Sequence, residues 1–272
     1  MGSPGDWEVT FLEGLDRRPI VETIATLSTM SSAHRPSPNA KVKGRAIALI
    51  AERIQDPQRL LDVCKELIDS TSPTGREIAS HLLPVIFTAF SQEVSSMLKR
   101  LCDDDNWEVR EWAAGGCGRI LSQNFERFYP TLETWTRDES AKIRRAVAIA
   151  AKYTARARNP RWCAPILSLL DVLICDRDPY VRNNMGPFAI GDGTLRYYPE
   201  ETLSKINEWA ERPNIFARWN AAKSFSAAEG AKHPEAAVRI LRALAADPSY
   251  VVRRAVSSTA RQLQQRIPDF RL

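Results

Sequence analysis

Along the second half of the chain apolar residues recur at steps of three and four, the spacing of one face of an α-helix, and the helical stretches come in pairs. The segments DNWEVREWAAG, ESAKIRRAVAI, DPYVRNNMGPF, NIFARWNAAKS and PSYVVRRAVSS each place a hydrophobic residue before an arginine and a small or apolar residue three or four positions later. Their marker arginines, Arg110, Arg144, Arg182, Arg218 and Arg253, stand 34, 38, 36 and 35 residues apart. Each interval holds two helices and two turns, so the chain reads as a helical repeat. An earlier unit is marked by Arg76, 34 residues before Arg110, and a degenerate one lies near Val42 to Ile54.

Between the markers, Phe125 to Thr136, Pro165 to Ile174, Glu200 to Ala210 and Ala236 to Ala246 carry apolar residues at helical spacing and are expected to be the outer helices. Pro160, Pro179, Pro199, Pro213, Pro234 and Pro248 fall near expected helix starts, where a missing amide donor does no harm. No period-two alternation bounded by tight turns competes, although Gly191 and Gly193 predict a loop that interrupts one helix. The fold expected is therefore all-α, a HEAT-like solenoid of about six to seven helical hairpins. Residues 1–40 fit the repeat poorly. They are expected to form an N-terminal cap, with a helix from about Val21 to Met30 and a linker over Ser31 to Asn39, ahead of the solenoid at 41–272.

Aligning the repeats turns sequence position into surface position. Val109, Ile143, Val181, Ala217 and Val252, which precede the markers, are expected in the core. The markers themselves, with an aspartate nearby in most repeats, read first as an inter-repeat ladder. The residues that follow them are Glu111, Arg145, Asn183, Trp219 and Arg254; four positions before these stand Trp107, Ala141, Pro179, Ile215 and Tyr250. The i,i+4 rule puts both columns on one helical face, flanked by Asn184, Asn220 and Lys223 and expected to line a concave groove. Aromatics, a carboxylate, arginines and amides on one strip suit a nucleic-acid backbone or a modified base. The alternative reading is that Trp107 and Trp219 pack against neighbouring repeats while Glu111 and Arg145 form an exposed ion pair.

Charge adds a little to this picture. The 38 Lys and Arg against 33 Asp and Glu give +5, which favours a polyanion where the cations cluster. No apolar run is long enough to span a bilayer, and MGSPGDWEVTFLEGLDRR carries charges where a secretory signal needs an apolar stretch, so a cytoplasmic protein is expected. Five cysteines without a CxxC pair fit buried thiols rather than disulfides. The scattered His34, His81 and His233 support neither a zinc site nor a catalytic triad, and no phosphate-binding glycine motif is present. Asp103, Asp104 and Asp105, ahead of a predicted helix, are expected to cap it.

The order DNWEVREWAAG, RDESAKIRRAVAIAA, DRDPYVRNNMG, clearest over residues 103–186 and extending to about 229, resembles the HEAT-like DNA alkylation-repair family of the AlkD and AlkC type. The resemblance implies hydrolysis of the N-glycosidic bond of a cationic N-alkylated purine in DNA, without a metal or other cofactor. It also implies roles. Trp107 would contact the cationic nucleoside, Glu111 would stabilise positive charge on the sugar, Arg145 or alternatively Arg144 would hold a phosphate, Asp192 would be a second acidic candidate and Trp219 a backbone-contacting aromatic. Glu111 is one methylene longer than the aspartate of the AlkD branch, and Asp192 is displaced by about one residue. With Asn183, Lys223 and Arg254 added from the surface strip, these residues make up the expected DNA site. The partner expected is alkylated or structured DNA, bound by a monomer that is nucleoid-associated when on DNA, with a protein partner left open. A non-catalytic reader of DNA structure and a protein-interaction scaffold are the alternatives.

Overall fold

Several helices begin where a side chain closes their N-terminus. Asn39 Oδ1 accepts the amides of Lys41 and Val42, Asp56 that of Arg59, Ser72 that of Gly75, Asp178 that of Tyr180, and Asn214 those of Phe216 and Ala217. Prolines 57, 73, 160, 179, 199 and 234 occupy the first helical turn, where their fixed φ suits the helix. The computed structural model describes residues 6–27 and 38–272, all helices and connecting turns with no strand among them.

The chain packs as two compact units, Met1–Ile120 and Leu121–Leu272. The first contains α1 (Asp6–Arg17), α2 (Ile20–Ala25), α3 (Ala40–Arg53), α4 (Pro57–Asp69), α5 (Pro73–Ile86), α6 (Ser91–Cys102) and most of α7 (Trp107–Gln123). Here α5 packs against α3, α4 and α6. Helix α1 was not expected from the sequence; the predicted Val21–Met30 helix is represented by α2, and most of the predicted linker lies outside the described residues. The second unit contains α8 (Phe125–Trp135), α9 (Ala141–Ala155), α10 (Pro160–Leu173) and α11 (Pro179–Arg182). It continues through a π-helix (Met185–Thr194), α12 (Leu195–Tyr197), α13 (Pro199–Glu211), α14 (Ile215–Lys223), α15 (Pro234–Ala245) and α16 (Tyr250–Arg266). In this unit α9 packs against α10 and the π-helix, and α14 against α13 and α16. The predicted outer helices are α8, α10, α13 and α15. No helix among the described residues is long and apolar enough to cross a membrane.

Val109, Ile143, Val181, Ala217 and Val252 are all buried, as the repeat alignment requires. The arginine after each of them folds back on its own turn. Arg144 Nη1 donates to the carbonyls of Asp138 and Glu139 at 2.8 and 2.9 Å, and Arg218 does the same to Arg212 and Pro213 at 2.8 and 2.7 Å. Arg110 and Arg253 repeat this geometry. The other edge of the guanidinium reaches the aspartate that opens the next repeat: Arg76 to Asp104, Arg144 to Asp176 and Arg218 to Asp247. Those aspartates also accept an amide of their own loop, from Asn106, Asp178 and Ser249. One carboxylate thus ties two repeats together. The expectation that the Asp103 to Asp105 cluster caps α7 needs correcting, since Asn106 Oδ1 takes the amides of Glu108 and Val109 and leaves Asp104 to the ladder.

The segment around Gly191 and Gly193 is likewise not a loop. It is wound into the π-helix, continuous with α12. Glycine there and at Gly186 answers to packing: a Cβ on Gly186 would lie 2.7 Å from Lys223 Cβ and 3.1 Å from the Asn220 carbonyl, so α14 approaches backbone to backbone. Asn220, fully buried, stitches this contact. Its Oδ1 accepts the Gly186 amide at 3.1 Å and its Nδ2 donates to the Ile174 carbonyl at 3.0 Å, so it does not flank a surface strip as expected.

Candidate nucleic-acid interface

In the first unit the site residues stand on the opening turns of α7. Trp107, its first residue, is 65% exposed, so in this unit its indole is presented rather than packed. Glu111, one turn on, is half-buried. Beneath this face the helix is held rigidly. A Cβ on Gly116 would lie 2.4 Å from the Ser80 carbonyl, so only glycine lets α7 lie this close to α5. Trp112 stands edge-on to His81 at 4.7 Å between ring centroids, and Lys43 Nζ sits 4.7 Å from the Trp112 centroid.

Lys43, on α3, forms an ion pair with Glu77 on α5, and both are almost completely buried. Lys43 occupies the marker position of the degenerate first repeat, where the other repeats carry arginine. Burial pushes the Glu77 carboxyl up from its ordinary value against the pull of Lys43, and its Oε1 has no hydrogen-bond partner. Burial also depresses His81, with the charge of Arg119 adding to it, to about 4; the imidazole is neutral at physiological pH.

In the second unit Arg145 is half-buried, its Cζ lying 4.9 Å from the Tyr180 ring centroid. Arg144 is engaged by Asp176 and two carbonyls, which places it in the ladder. Asn183 is exposed on the turn after α11, and Asp192 is half-buried on the π-helix. Further along the same unit, α14 and α16 enclose a cleft of about 260 Å³ lined by Trp219, Lys223, Tyr250, Arg254 and Ser258 with Val251 and Ala255. Two i,i+4 pairs face each other across it, Trp219 with Lys223 and Tyr250 with Arg254, each an aromatic followed one turn later by a cation. Tyr250 is 66% exposed, and burial lowers the Lys223 ammonium below its ordinary value. The structure therefore brings together Trp219, Lys223 and Arg254, and adds Tyr250, which the alignment had placed in the neighbouring column of the same strip. Flat rings beside cations can stack a base and neutralise its phosphate.

The sequence matches the family model described as DNA alkylation repair enzyme over residues 40–188. No curated protein matches significantly. Among solved structures, smu.31 from Streptococcus mutans UA159 aligns with a TM-score of 0.58 at 17% identity, covering 75% of this chain and 96% of that one. The archaeal HEAT-like repeats protein from Thermococcus onnurineus NA1 aligns with a TM-score of 0.34 at 14% identity, covering 97% and 99%. At such identity the Streptococcus mutans protein speaks to the fold alone, that of helical repeats. The family match runs from α3 into the π-helix and includes Trp107, Glu111, Arg144, Arg145 and Asn183, whereas Asp192, Trp219, Lys223 and Arg254 lie beyond it. With more than half of its length matched, the chain belongs to the DNA alkylation repair enzyme family.

Proposed function

We propose that the protein binds DNA and hydrolyses the N-glycosidic bond of N-alkylated purines. The observation that carries this reading is Trp107, an indole 65% exposed at the start of α7 with the Glu111 carboxylate one turn away, inside the family-matched segment. Alkylation makes the purine cationic and a good leaving group. The C1′–N bond breaks with its electron pair passing to the base, which departs neutral. Water adds at C1′ and loses a proton, leaving free base and an abasic sugar. In this scheme the Trp107 face attracts the cationic base, and Glu111 stabilises positive charge developing on the sugar. Arg145 holds a backbone phosphate, with Asn183 as a further polar contact; Asp192 is a second acidic candidate, and Trp219, Lys223 and Arg254 bind the DNA strand.

A second reading, a DNA binder without excision, is favoured by the cleft between α14 and α16, whose aromatic and cationic lining serves binding alone. One experiment separates the two. Release of free base from DNA treated with a methylating agent is measured for the wild type, Glu111→Gln and Trp107→Ala at low salt. Release that falls at least a hundredfold in both variants is expected. No release, with salt-sensitive binding intact, would leave the second reading in place.

A further inference from the structure

The arginine ladder fails at one rung. In the repeats opened by Asp104, Asp176 and Asp247, the carboxylate two residues before the helix cap receives the previous repeat's arginine. The corresponding residue ahead of the Asn214 cap is Arg212. It turns away to Asp171, Nη2 to Oδ1 at 2.6 Å, where Trp209 Nε1 also donates at 2.8 Å. Arg182, the ladder arginine of the repeat before, consequently has no carboxylate. Its remaining hydrogen bond is a long one, Nη1 to the Arg177 carbonyl at 3.5 Å, where Arg144 makes four of 2.6 to 3.2 Å. Its Nε is buried without an acceptor. The guanidinium lies instead against two rings, 4.8 Å from the Phe216 centroid and 5.4 Å from that of Trp219.

An arginine held in place, partly desolvated and short of acceptors is a receptor for an anion. Trp219 identifies which anion, because the same indole lines the cleft with Lys223, Tyr250 and Arg254. A ligand carrying flat bases and regularly spaced negative charges satisfies both. We propose that Arg182 is a phosphate-binding residue that takes a phosphodiester of the DNA backbone, and that the Asp-to-Arg exchange at 212 is what frees it. This rests on the DNA-binding reading above.

The test uses the full chain, a short fluorescein-labelled duplex, anisotropy titrations at several salt concentrations and thermal melts. Arg182→Met is expected to bind about tenfold more weakly at low salt, with the log–log salt dependence shallower by about one. Its melting temperature should hardly change, since the rung is already broken. Arg212→Asp and Arg212→Asn both remove the Arg212 charge, but only the aspartate can complete the rung. Arg212→Asp should therefore melt higher than Arg212→Asn and bind DNA several-fold more weakly. Within an Arg182→Met background that affinity gap should close.

Wild-type affinity and slope retained in Arg182→Met would overturn the inference while leaving the DNA-binding reading intact. So would an affinity gap between the two Arg212 variants that persists without Arg182, since it would then reflect charge at a distance. If Arg182→Met does not fold, the Arg212 pair alone decides: equal affinities overturn the inference. A wild type that does not bind duplex at low salt overturns both.

Discussion

Lys43–Glu77 in the first unit and Arg218–Asp247 in the second begin from the same marker position of the repeat and solve it in opposite ways. The lysine pair is sealed, with side chains 4% and 0% exposed, and one carboxylate oxygen is left without a partner. The arginine pair keeps its cation 13% exposed, and four hydrogen bonds leave the guanidinium while Asp247 also accepts the Ser249 amide. The ammonium is a compact charge that here is set against a single carboxylate in a closed site, whereas a planar guanidinium spreads its charge over several acceptors at the edge of the fold. The first arrangement is stiff and intolerant; the second can lose its carboxylate, as Arg182 has, and remain folded.

The comparison is broken most directly at Glu77. Lys43→Met or Glu77→Ala leaves one buried charge unpaired and should cost about 3–5 kcal/mol in urea unfolding, while Lys43→Met with Glu77→Leu together should recover most of it. A single variant losing less than about 1 kcal/mol would show that water reaches the pair.

His81 comes next. Its folded value of about 4 lies below the ordinary 6.5, so the neutral form is the one that packs beside Trp112. The stability it contributes is fully present above pH 6.5 and is lost as pH falls through about 4, by as much as about 3 kcal/mol. His81→Gln should flatten the stability curve over that window; a slope that survives would have to come from other groups.

How much of this was legible in the sequence follows from the chemistry of each position. The marker arginines and their aspartates show the repeat because a bidentate pair demands those two residue types one repeat apart, here 28 to 32 residues. Lys43 carries no such signature: its partner is a glutamate inside α5, two helices on, and a lysine at a degenerate repeat resembles any surface lysine. The glycines at 191 and 193 read as helix breakers, yet both answer to close packing, a Cβ on Gly191 falling 2.6 Å from the Ser224 carbonyl and one on Gly193 3.2 Å from the Lys152 side chain on α9, contacts that no local pattern encodes. Trp107 and Glu111 were found by helical periodicity, which gives the face but not the exposure. Arg182 was hidden by its likeness to the other markers; the signal was Arg212 standing where an aspartate belongs.

At Asp247, burial opposes the carboxylate, but hydrogen bonds from Arg218 and the Ser249 amide and the charges of Arg218 and Arg253 outweigh it and hold the group below its ordinary 3.8. Its contribution is therefore present above about pH 3.8 and is lost as pH falls through the lower folded value. Asp247→Asn should cost about 1–2 kcal/mol at neutral pH, clearly less than opening the Lys43–Glu77 pair, and should remove that acid-side loss. A cost equal to that of Glu77→Ala would erase the distinction between sealed and open pairs.

The smallest effect on the fold belongs to Tyr250. Tyr250 is 66% exposed on the first turn of α16, so Tyr250→Ala surrenders little buried area and should shift unfolding by less than about 1 kcal/mol. Binding is another matter. A ring that the fold does not use, facing Trp219 and Lys223 across a cleft, gains its partners only when a ligand arrives. Stacking on such a ring is worth about 1–3 kcal/mol per base, so affinity for a labelled single strand should fall at least fivefold while the melting curve stays in place. Melting and affinity that both stay unchanged would make the cleft an ordinary groove between helices. A lowered melting temperature would make the ring part of the packing, as Trp112 is where it stands edge-on to His81 in the first unit.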